Sequence, residues 1–128
     1  MDLNTQAGMR TDVYTPDRLI AGPSDDIVGK GITVLAGQVL QRGAVLGMIT
    51  ASRKYVLSQT AANDGSQNPS VVLAQDCDST AGDIQGLAYL SGTFNSSALI
   101  LGTGQTTQSV TDALRGLSIL IVDTIGGV

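Results

Sequence analysis

Histidine and tryptophan are absent from this 128-residue chain, and so is glutamate. Without histidine the chain lacks the side chain that titrates near neutral pH. It therefore lacks the usual general base, the usual partner of a nucleophilic Ser or Cys, and the commonest catalytic metal ligand. The single cysteine, Cys77, excludes an internal disulfide and a multi-Cys zinc site. It lies between Asp76 and Asp78, whose charges oppose thiolate formation, and reads as a small structural residue near a strand end. Aromatic residues make up only 3% of the chain, as Tyr14, Tyr55, Tyr89 and Phe94, so the interior must rest on Val, Ile, Leu and Ala. No apolar run approaches the roughly 20 residues of a membrane-spanning helix. The opening Met1-Asp2-Leu3-Asn4-Thr5-Gln6 has neither the basic start nor the apolar core of a signal peptide. These absences predict a soluble, non-enzymatic product of the cytoplasm, with no membrane partner. The formal net charge of −4 and the lack of a basic cluster argue against direct nucleic-acid binding.

What is present points to β structure. All 11 acidic residues are Asp, which favours turns and caps where Glu favours helix interiors, and 16 glycines punctuate the chain. Residues 1–22 carry few apolar side chains and no period that would bury a face, so they read as a flexible N-terminal arm. A single domain over residues 23–128 follows. Residues 32–57 break into short apolar pieces separated by Gly37, Gly43 and Gly47, the pattern of a bent ribbon or small barrel. Asp64-Gly65 marks a turn, and Val71-Val72-Leu73-Ala74 a buried strand. Residues 76–83 form a polar turn. Residues 87–94 form a strand with Leu87, Tyr89, Ser91 and Thr93 on one face, and residues 98–101 a further strand. One short helix is expected over residues 110–115, capped by Ser109, with Asp112 near its positive end and Gly116 at its C-terminus. Residues 119–122 supply the last strand.

Motif tests predict no metal and no cofactor. Asp76, Asp78 and Thr80 fit the first calcium-loop positions, but Ala81 stands where glycine is needed and Leu87 where the closing Glu belongs. Gly102-Thr103-Gly104 begins like a dinucleotide loop, yet Thr107 occupies the third glycine position. Lys30 is followed by Gly31 rather than Ser or Thr, and Ser24 takes the first glycine position of a phosphate loop. Asp25-Asp26 reads as a surface turn.

Several segments taken together carry a resemblance. The run Val71-Val72-Leu73-Ala74-Gln75-Asp76, a turn, and Ala88-Tyr89-Leu90-Ser91-Gly92-Thr93-Phe94-Asn95 are similar to the second half of the phage lambda head decoration protein. Tyr14-Thr15-Pro16-Asp17-Arg18-Leu19-Ile20-Ala21-Gly22, Arg42-Gly43-Ala44-Val45-Leu46-Gly47, Lys54-Tyr55 and Asp64-Gly65-Ser66-Gln67 resemble prophage-encoded relatives. The resemblance to the bacteriophage head decoration family implies a mainly β, β-clip fold: a bent two-stranded ribbon whose ends form an incomplete barrel, with one short helix and an extended arm. It implies a homotrimer on the outer surface of the expanded phage head, cementing neighbouring major capsid proteins at three-fold positions, with the arm ordering on the capsid. The sequence departs from lambda's protein in residues 22–37 and after Asn95. Val13, Tyr14, Pro16, Arg18, Leu19 and Ile20 are the expected capsid-binding residues of the arm, and Tyr89, Thr93 and Phe94 are expected in core or trimer packing. Alternative readings are a tail or fibre subunit, or a trimeric β-clip ligand-binding module.

Overall fold

A computed structural model describes residues 19–22 and 27–123. Expectations for Val13, Tyr14, Pro16, Arg18 and Asp25-Asp26 fall outside those residues. Along the described chain run β1 (Val28–Val34), β2 (Val39–Leu40), β3 (Val45–Met48), β4 (Tyr55–Leu57), β5 (Pro69–Leu73), β6 (Cys77–Asp78), β7 (Ile84–Asn95), α1 (Thr107–Arg115) and β8 (Ile119–Val122).

The backbone of the architecture is a two-stranded ribbon. Strand β1 runs antiparallel to β7, from Val28 opposite Ser91 to Val34 opposite Ile84. Strand β7 then pairs with β5, β5 with β3, and β3 with β4. The circuit closes where β4 meets β1 in one parallel pair, Val34 with Tyr55, and the Leu35 amide donates to the Tyr55 carbonyl at 3.0 Å. Five strands thus make a partial barrel, and β2 and β6 form a separate two-stranded clasp. This is the mainly β, clip-like fold that the sequence implied.

Alternation along the strands builds two cores. Ala44, Leu46, Val71, Leu73 and Ala88 point into the barrel with Ile32, Val34, Leu40 and Cys77. Their neighbours Val45 and Val72 point outward, into a second cluster with Leu19, Phe94, Val110, Leu114 and Ile119. Helix α1 and strand β8 cover this outer face. Strands buried on both sides need apolar residues at consecutive positions, and so Val71-Val72-Leu73 reads as an unbroken run.

Four local expectations are corrected. Strand β7 does not keep Leu87, Tyr89, Ser91 and Thr93 on one face throughout. At Gly92 the backbone has a φ of 138°, and beyond it Phe94 joins the same outer cluster as Tyr89, with the rings 5.3 Å apart. Residues 98–101 are not a strand. Asn95 accepts a hydrogen bond from the Ser97 amide, turning the chain into a 3-10 turn over Ser96–Ala98, and Ile100 makes only an isolated bridge to Ala44. The helix starts earlier than expected, and Thr106 caps it. The Thr106 hydroxyl accepts from the Ser109 amide at 3.1 Å, and the Ser109 hydroxyl accepts from the Thr106 amide at 3.0 Å. Asp112 consequently sits past the first turn, accepting from Gln108, and the left-handed residue after the helix is Ser118 rather than Gly116. Strand β1 begins at Val28, ahead of the expected residue 32, because pairing with β7 extends it through two glycines.

Candidate functional site

The C-terminal half of β7 gathers the sequence-expected residues that the structure describes. On one side the chain at Leu19, Ile20 and Ala21 pairs antiparallel with it: Ile20 bridges Phe94, the Ala21 amide donates to the Thr93 carbonyl, and the Asn95 amide donates to the Leu19 carbonyl, both bonds at 2.8 Å. On the other side β8 pairs in parallel, from Gly92 opposite Ile119 to Asn95 opposite Val122. The close approach depends on Gly22, where a Cβ would stand 2.7 Å from that of Thr93.

This geometry separates the expected residues into two groups. Leu19 is 1% exposed and packs with Phe94, Val110 and Leu114. It is an anchor of the folded body, so its side chain is not on offer to a coat protein in this conformation. Phe94 is fully buried, which places it in the core of the subunit. Tyr89 is half-buried against the same cluster, and its hydroxyl accepts from Arg42 Nη1 at 2.7 Å. The Arg42 guanidinium also lies over the Tyr89 ring, 5.6 Å from its centroid, and donates to the Ala74 carbonyl. Thr93 is half-buried, and Ile20 is exposed.

Beside these lies an exposed apolar edge that the sequence reading did not single out. Leu120 and Val122, two apart on β8, are exposed, as is Leu117 before it. Leu120 lies opposite Thr93 and, with Ser91, Gly92 and Ser118, lines a shallow hollow of about 230 Å³. The signal available was the run Ile119-Leu120-Ile121-Val122, more apolar than a strand with one buried face requires.

Several of the charged groups are used structurally. Asp76 accepts from the Arg42 amide, Asp78 from Thr80, and Asp83 from the Ala36 amide and Lys54. Hydrogen bonds from Lys54 and then from the Ala36 amide hold the Asp83 carboxyl below its ordinary range. Bonds from Thr80 do the same for Asp78, and bonds from Ser66 for Asp64. Burial, with the Asp76 charge second, pushes the Cys77 thiol up and away from reactivity. Among the described residues no cluster of three His, Cys, Asp or Glu is arranged to hold a metal ion. Strand β8, last in the sheet beside the end of β7, therefore offers a backbone edge and apolar surface, the materials of a protein interface.

A search of curated proteins gave no match. The family model described as bacteriophage lambda head decoration protein D matches residues 9–121, from within the expected arm to strand β8. A match over most of the chain, on a partial barrel with an apolar edge, settles the kinship: the chain belongs to the bacteriophage lambda head decoration protein D family, whose place is the capsid of the phage head.

Proposed function

We propose that the protein binds as a homotrimer to the outside of the expanded phage head, at three-fold positions, and cements neighbouring major capsid proteins. The observation that carries this reading is the family match, which extends back to residue 9 and so includes most of the arm. Val13, Tyr14, Pro16 and Arg18 provide the coat contact, with Ile20 continuing it on the exposed surface and Leu19 fixing the root of the arm in the outer core. An extended arm adds a strand to a coat-protein edge, where backbone pairing supplies affinity and Tyr14 and Val13 fill apolar contacts.

Ordering such an arm costs about 1–2 kcal/mol per residue, so a single arm binds weakly. Three arms on one trimer make later contacts intramolecular and raise avidity by roughly 10² to 10⁴. Binding the expanded lattice alone then stabilises that lattice by mass action, without catalysis. The test is deletion of residues 2–18, which leaves Leu19 and its β7 bonds in place. The truncated protein is expected to fold and to have the mass of a trimer by light scattering, yet to stay in the supernatant when expanded heads are sedimented. Normal co-sedimentation would show the arm to be dispensable, and a monomer mass for the full chain would remove the trimer.

A further inference from the structure

The barrel has an open seam. Strands β1 and β4 share a single residue pair, Val34 with Tyr55. Before that pair, the edge of β1 that faces β4 has no ladder partner among the described residues, although its other edge is paired to β7 along its length. The seam opens as a hollow of about 230 Å³ between Lys30 and Thr33 on one side and Met48, Arg53 and Tyr55 on the other. Both Lys30 and Arg53 are exposed, and neither has a carboxylate partner among the described residues. The neighbouring Lys54 is already engaged by Asp83 at 2.5 Å. Among the described residues, two cations without a carboxylate partner thus flank an unpaired strand edge, in a chain whose net charge is −4.

Arg53 adds a second, independent observation. It occupies the left-handed region with a φ of 63°, in the tight turn where its amide donates to the Ile49 carbonyl and the Ile49 amide donates to the Lys54 carbonyl. Glycine suits such a position, and a side chain there strains the backbone. Strain held at a surface residue points to a use for the side chain beyond folding.

We propose that this seam is a docking site for an extended acidic segment of a partner protein. The segment adds a strand to the free edge of β1, and its carboxylates meet Lys30 and Arg53. Charge complementarity selects this occupant. A nucleic acid would require a longer basic track and an exposed aromatic platform, whereas here there are two cations and a half-buried Tyr55. The proposal does not depend on the arm or on the capsid reading.

The test uses the full-length, isotope-labelled protein, titrated at low salt with an alternating Asp-Thr octapeptide and followed by amide NMR. Shifts are expected in residues 28–33 and at Tyr55. Arg53→Gly and Lys30→Ala should each weaken binding by roughly two- to fivefold, because exposed ion pairs are individually weak. Arg53→Gly should melt no lower than the parent, which separates lost binding from lost folding, and Lys30→Ala probes the same contact without altering the turn. The proposal is overturned if the peptide leaves the seam unshifted, if both variants bind like the parent, or if inorganic phosphate or an oligo-dT strand shifts the same amides as strongly. A change in assembly mass in either variant would also overturn it, since the seam would then be a contact between copies of this chain.

Discussion

Phe94 shows how much one side chain holds in a chain with so few rings. It is fully buried between the root of the N-terminal segment and the helix. Phe94→Ala should lower stability by about 3–5 kcal/mol, read from the urea midpoint, because it removes a fully buried ring and leaves a cavity in the outer core. Gly92 makes that placement possible, and a Cβ there would stand 3.0 Å from the Phe94 ring in addition to straining the backbone. Asp83 makes a testable contribution of another kind. Its folded-state carboxyl titrates below the ordinary value of 3.8, held by Lys54 and the Ala36 amide. Its contribution is therefore fully present above pH about 4 and is lost as pH falls through the lowered native value. Urea unfolding between pH 6 and pH 2 should show Asp83→Asn less stable than the parent near neutrality, with the difference shrinking in acid. An undiminished difference at pH 2 would mean that the ionised carboxylate is not the source.

Elements in this protein are legible in the sequence where local chemistry and burial agree, and are hidden where they conflict. The last strand and the buried Val71-Val72-Leu73 strand follow from composition alone. Residues 98–101 look equally strand-like, since Leu99 and Leu101 pack on the outer core, but Asn95 diverts the backbone before a ladder can form. A run of apolar residues reports burial and does not report backbone pairing. The helix start differs for a similar reason: Ser109, the cap expected from local sequence, sits inside the first turn and bonds back to Thr106, which caps the helix three residues earlier. Thr106→Ala should cost about 0.5–2 kcal/mol, measured by thermal unfolding, whereas Ser109→Ala should retain the Thr106 bond to the backbone and cost less.

For the whole molecule, the decisive contact is long-range: Leu19 docks beside the end of β7, so the folded body begins before residue 22. Deleting residues 2–18 should leave the melting temperature nearly unchanged. Extending the deletion through Ile20 removes a buried leucine and the bond from the Asn95 amide to the Leu19 carbonyl, and should lower stability by about 2–5 kcal/mol. Equal melting temperatures for the two truncations would count against Leu19 as a core residue. Composition by itself determined the fold class. An excess of Asp favours turns, and apolar runs with recurring glycine leave mainly strands. The order and spacing of short segments also pointed to the family. Only the tertiary structure decided that Leu19 is buried beside the end of β7, which face each β7 residue takes, and that the seam beside β1 stays open between Lys30 and Arg53. Those outcomes depend on residues far apart in the chain: Leu19 meets Phe94 through packing of the outer core, and Val34 meets Tyr55 through barrel closure, neither fixed by any local pattern.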